Sequence, residues 1–189
     1  MKDLTLAWIL EGYRIFAEKG PSALKVEALA RKVGKNKSSF YHHFADMEVF
    51  KEFLLNYHLD RADMLAEKEA SCKNVDPELF EVLIEFQEDL FFNRQLRVNR
   101  EHLAFHKCCE KANQKVAGAI IDIWAEALGL IGKNHLALMV LRLSLENFYL
   151  QITPENMNLA WLRNYMQELR SMVQAFQQAE KGTRTSLQS

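Results

Sequence analysis

The stretch Val26–Phe50, VEALARKVGKNKSSFYHHFADMEVF, decides how the rest of the chain is read. Val26, Leu29, Ala30 and Val33 recur at the spacing of one helical face, and Gly34 follows where a chain leaving a helix takes a left-handed residue. Asn36 is then an N-cap, whose side-chain oxygen accepts amide protons from the next turn and starts a second helix at Lys37. Phe40 and Phe44, four apart, are its inward anchors. Lys37, Ser38, Ser39, Tyr41, His42 and His43 are left on the remaining surface. So short a helix needs neighbours to hold it. Leu6, Ile9, Leu10, Tyr13, Phe16 and Ala17 mark an amphipathic helix before it, and Phe50, Phe53, Leu54 and Tyr57 mark another after it. The pattern predicts a compact helix-turn-helix head.

Charge points the same way. Between Lys25 and His43 the cations Lys25, Arg31, Lys32, Lys35 and Lys37 face the single anion Glu27, although the whole chain carries a formal charge of only -1. The basicity is local. A duplex phosphate backbone rewards such a patch through counterion release.

A first helix ending near Lys19-Gly20, Leu29-Ala30, Gly34, the run from Lys37 to Phe44 and an acidic cap opening a longer helix together resemble the DNA-binding head of TetR-type transcriptional regulators. The resemblance covers the first quarter to third of the chain. It implies an all-helical homodimeric regulator, most often a repressor, whose larger C-terminal domain binds a small effector. Carried over by position, Lys37, Ser38 and His42 look like base-facing side chains; Ser39, Tyr41 and His43 look like backbone-positioning ones. Lys25 and Lys35 join them as candidate DNA contacts. One position departs: Met47 stands where the family usually has a phosphate-contacting lysine.

With 189 residues, 49% of them apolar, the chain can bury one substantial core or two small ones that share a helix. No apolar run is long enough to span a bilayer, and Asp3, Glu11 and Arg14 interrupt any signal-like opening, so a cytoplasmic protein without membrane partners is expected. Three cysteines, two of them adjacent, make no disulfide framework. The helix opening near Asp46 is predicted to run to about Ser71 and so to belong to both halves. Asp76-Pro77-Glu78 then reads as a helix start, with an apolar face through Leu79, Phe80, Leu83, Phe86, Leu90 and Phe91, broken at Asn93-Arg94. A short helix and a longer one to about Gly129 should follow. The expected organisation is all-α: a three-helix head at 1–57, a helical effector-binding and dimerisation domain at 58–179, and a disordered tail at 180–189.

After Thr153-Pro154-Glu155, a second N-cap and first-turn proline, Leu159, Leu162, Met166, Leu169, Val173 and Phe176 step by three and four, as an a/d seam does. The preceding segment is apolar almost all round, with Leu136, Val140 and Leu143 on one side. These nine residues are the expected surface of a two-fold dimer through a four-helix bundle, with an intramolecular seam as the alternative. A symmetric dimer implies a palindromic operator, its recognition helices about 34–36 Å apart or a near multiple of that.

Phe86, Leu90, Phe105, Trp124, Phe148 and Tyr149, with His102 and His106 as polar handles, are the candidate effector-binding residues; the effector itself is unknown, and the same residue types also describe a core. His102, His106 and Cys109 lie on one helical stripe at i, i+4 and i+7, so a metal- or thiol-sensing regulator is an alternative. Without a fourth ligand the expectation stays at no metal and no cofactor. The chain lacks a phosphate-cradling glycine loop, an H-E-x-x-H helix and a nucleophile elbow, which argues against an enzyme. A helical protein-interaction module is the remaining alternative.

Overall fold

The computed structural model describes residues 3–186, with no strand among them. Its helices are α1 (Asp3–Lys19), α2 (Val26–Val33), α3 (Lys37–His43), α4 (Met47–Ser71), α5 (Phe80–Glu85), α6 (Gln87–Val98), α7 (Leu103–Ala127), α8 (Asn134–Gln151) and α9 (Leu159–Ser186).

The chain divides into two compact units, one holding the chain up to Lys68 together with Phe86–Gly118, the other holding Glu69–Glu85 and everything from Ala119 onward. The division differs from the expected boundary after residue 57. The cause is aromatic packing: Tyr13 and Phe16 of α1 both stack on Phe92 of α6 with ring centroids 4.2 Å apart, and Phe105 of α7 meets Phe16 edge-on at 5.5 Å. Leu96, Cys108 and Cys109 join Trp8, Ile9, Leu29, Phe40, Phe44, Phe50 and Leu54 in the same buried cluster. The first unit is therefore the head of α1–α3 with most of α4, extended by α6 and the first part of α7. α4 and α7 each continue from one unit into the other.

In the second unit α9 lies along α8. Tyr165 donates its hydroxyl hydrogen to the Ser144 carbonyl at 2.6 Å, and Phe148 packs against Trp161 and Tyr165. Arg163 of α9 forms a bidentate pair with Asp76, its Nε 2.9 Å from Oδ2.

Four expectations about elements need correction. Asn74 rather than Asp76 caps the segment before α5, its Oδ1 accepting from the Glu78 amide at 3.2 Å; Asp76 has extended dihedrals and points its carboxylate at Arg163. The single helix expected through Phe91 is broken at Phe86, whose φ of -97° and ψ of 21° interrupt the ladder, whereas α6 runs unbroken through Asn93-Arg94, where buried Asn93 donates its side-chain amide to Asn113 on α7 at 2.9 Å. Thr153 and Asn156 close a turn on each other, so α9 starts at Leu159 with Asn158 as its cap, accepting from the Trp161 amide at 3.1 Å. Finally, α9 extends to Ser186 through most of the expected tail, since each residue added to an existing helix gains a hydrogen bond without a new nucleus; residues 187–189 lie outside the described residues.

Candidate nucleic-acid interface

Local chemistry builds the turn between α2 and α3. Gly34 sits at φ 68° and ψ 34° and gives its N–H to carbonyls of the last turn of α2, a conformation that costs a residue with a Cβ. Asn36 then accepts from the Ser39 amide through Oδ1 at 2.9 Å, which fixes the first residue of α3. From the other side Phe40 (0% exposed) and Phe44 (1%) anchor α3: Phe40 meets Trp8 of α1 at 5.5 Å and Phe50 of α4 at 5.3 Å. α4 is capped by Asp46, which accepts from the Val49 amide at 2.9 Å.

With two phenylalanines turned inward, the rest of α3 faces out. Lys37, Ser38 and His42 are exposed, and Tyr41 is 55% exposed, with only an edge contact to Phe40. Ser39 is half-buried, its backbone taken by the cap. His43 is half-buried too: its Nδ1 lies 3.1 Å from the Thr5 hydroxyl on α1, so one ring nitrogen braces α3. Lys25 is exposed as the extended residue before α2, and Lys35 is exposed in the turn. Lys37 reaches back to Glu27 of α2 at 2.5 Å, and that hydrogen bond lowers the Glu27 carboxyl from its usual range. Both side chains are exposed, so the pair contributes little to stability. Arg31 and Lys32 are exposed in the last turn of α2, where they also oppose the negative end of the helix dipole. Met47 is half-buried against the core of the head, so its side chain packs and does not reach outward.

The family model for bacterial regulatory proteins of the tetR family matches residues 9–50, from within α1 to the first turn of α4. The head is that of a TetR-type regulator. Two solved structures extend the likeness in fold to almost the whole chain: one described as a TetR-family transcriptional regulator from Rhodococcus sp. (18% identity, 95% of this chain and 98% of that one, TM-score 0.55), and Salmonella enterica GusR (15% identity, 93% and 96%, TM-score 0.60). No curated protein matches the sequence. The chain is accordingly a DNA-binding transcriptional regulator, with α2, the Gly34 turn and α3 as its helix-turn-helix.

The effector candidates fall in both units. Phe86, Leu90, His102, Phe105 and His106 belong to the head unit, and Trp124, Phe148 and Tyr149 to the other. Phe86 is buried at the α5–α6 break, with the Arg61 guanidinium 4.6 Å and the Lys68 ammonium 5.5 Å from its ring centre. Leu90 is buried, and Phe105 is a core residue of the head. His102 and His106 are exposed, the latter 3.5 Å from Glu110, so neither imidazole is an interior handle. The stripe proposed for metal splits the same way: Cys109 is buried and accepts a hydrogen bond from Asn113 at 3.4 Å, whereas the two imidazoles face solvent. Among the described residues no three His, Cys, Asp or Glu side chains converge as a metal site would need.

The dimer candidates also divide. Leu162, Met166, Leu169 and Val173 are buried within their own chain, and Leu136, Val140 and Leu159 are half-buried. That seam is mostly used inside the protomer. Leu143 (67%) and Phe176 (70%) are exposed, and Met139, Leu150 and Met172, absent from the sequence-based set, are exposed with them. The missed residues carry a signal in hindsight: Leu136, Met139, Leu143 and Leu150 follow a second stripe on α8, beside the buried one through Ala137, Leu141, Ser144 and Phe148.

Proposed function

We propose that this regulator binds a palindromic duplex operator as a homodimer, acts in the cytoplasm as a repressor, and is released by a small effector. The observation that carries the reading is α3 itself: Phe40 and Phe44 are fully buried, and that forces Lys37, Ser38, Tyr41 and His42 outward together on a rigid, capped helix. Such a helix, flanked by Lys25 and Lys35, suits the major groove. A lysine pairs with guanine acceptors, while serine and histidine donate or accept at base edges. Tyr41 and His43 would contact phosphate and orient the helix without reading sequence.

The partner surface proposed for the second copy is the exposed apolar face of Met139, Leu143 and Leu150 on α8 with Met172 and Phe176 on α9. Large apolar side chains grouped on neighbouring helices are the signature of a covered surface. The effector is proposed to favour one setting of α4, which carries residues of both units, and so to shift the population able to meet both half-sites. Among the described residues no helix is long and apolar enough to cross a membrane.

Selection of bound duplexes from a random pool tests the core of the proposal. The expected outcome is a two-fold symmetric sequence whose binding weakens steeply with salt. A pool that returns no symmetric site, or binding indifferent to salt, would overturn it.

A further inference from the structure

Asp89 of α6 is buried and is the meeting point of two head helices. Its Oδ1 accepts from the Tyr13 hydroxyl of α1 at 2.7 Å and from Arg61 Nε of α4 at 3.0 Å, and its Oδ2 accepts from Arg61 Nη2 at 2.7 Å. Tyr13 has one hydroxyl proton, and it is shared in the hydrogen bond to Asp89. Burial and the neighbouring carboxylate both hold the phenol protonated, and burial keeps His58 of α4 neutral by pushing it down to about 4. His58 Nδ1, 2.7 Å from the Tyr13 oxygen, is then the N–H that donates to it. Its hydrogen bonds to Asp89 raise the pKa of Arg61. One turn along α6, Asn93 continues the chain of bonds to Asn113 on α7.

The two helices that Asp89 holds are the ones that hold α3. Thr5 of α1 braces His43, Trp8 of α1 packs on Phe40, and Phe50 of α4 lies against Phe40 and Phe44 with ring centroids 5.3 and 4.8 Å away. Apolar packing resists sliding but is non-directional. A bidentate pair and a short hydrogen bond to the buried Asp89 carboxylate add a fixed geometry, because displacing either donor leaves that carboxylate short of a partner.

We propose that Asp89 is a positioning residue for DNA binding: by fastening α1 and α4 to α6 it makes the head and α6 one rigid body, so that α6 sets the orientation of the recognition helix. The proposal rests on the reading of α3 as the groove-binding element of a dimer on a two-fold site. Its signature is in spacing, since a dimer with rigidly held heads tolerates only one separation of half-sites.

The test uses the full-length protein and the duplex selected by the wild type, together with duplexes in which one base pair is inserted or removed between the half-sites. Tyr13→Phe deletes only the hydroxyl and keeps the stacking on Phe92; Asp89→Asn keeps the size and removes the charge. The wild type is expected to lose about tenfold or more in affinity when the spacing changes by one base pair, and both variants to lose less than about threefold, with weaker binding to the optimal site. Denaturant midpoints are measured alongside. Variants that lose stability yet keep the wild-type spacing profile would show that the cluster only holds the fold, and Tyr13→Phe keeps the question open to an answer if Asp89→Asn does not fold. A wild type that selects no two-fold site overturns the reading beneath the proposal, and the proposal with it.

Discussion

Gly12 lies where α1 crosses α4. A Cβ built there would fall well inside contact distance of the Phe50 ring, which is fully buried and held by Phe40 and Phe44. Helix propensity alone favours alanine at this position, so the sequence argues for the wrong residue. Gly12→Ala is expected to destabilise the protein by about 1–3 kcal/mol in urea titration through overpacking; an unchanged midpoint would mean that the ring yields freely. Glu69 is a second residue whose character only burial reveals. Its carboxylate is enclosed without a hydrogen-bond partner, and burial pushes its pKa up from 4.5 to about 8. The folded chain thus binds a proton that the unfolded chain releases near pH 4.5. Its contribution to stability is full below that value and is lost as pH rises toward 8. Between pH 5 and 8 the wild type should lose up to roughly a few kcal/mol that Glu69→Gln does not lose, as read from denaturation at each pH. Parallel curves for the two proteins would contradict this.

At the scale of elements, the legible helices are those with local punctuation. α2, the Gly34 turn and α3 stand where spacing and capping put them, because apolar anchors four apart, an Asx cap and a left-handed glycine act within a few residues of each other. Asn36→Ala should cost about 1 kcal/mol of stability and weaken DNA binding further by fraying α3; equal binding at equal fold would separate the cap from the interface. Where punctuation is ambiguous the sequence misleads. Thr153-Pro154-Glu155 has the composition of a helix start, yet Thr153 and Asn156 close a turn on each other and Asn158 opens α9. The break at Phe86 has no glycine or proline to announce it; the residue leaves the helical ladder with its ring buried beneath the Arg61 guanidinium. Gly118 shows the reverse, a glycine inside α7 with open space beside it: beyond its own stretch of helix, no atom lies within 4 Å of a Cβ placed there. Gly118→Ala is expected to stabilise the chain by about 0.4–1 kcal/mol, seen as a raised denaturation midpoint.

For the whole molecule the decisive question is which apolar stripe faces where. The Leu159–Phe176 seam was legible as a seam, but three-and-four spacing says only that one face is apolar. Trp161, Tyr165 and Phe148 pack within the protomer and bury most of it, leaving Phe176 exposed with Leu143. Leu143→Glu and Phe176→Glu are expected to turn a sedimenting dimer into a monomer at micromolar concentration without loss of helix content. A wild type already monomeric there would sink the proposed dimer. The sequence by itself determined the all-helical class, the helix-turn-helix and its outward residues, because periodicity, capping and local charge operate over a turn or two of chain. Only the tertiary structure decided that α6 and the beginning of α7 complete the head, and that Tyr13 and Asp89, 76 residues apart, share one hydrogen bond. Such contacts are set by how helices close upon each other, and a buried pair leaves no periodic trace along the chain.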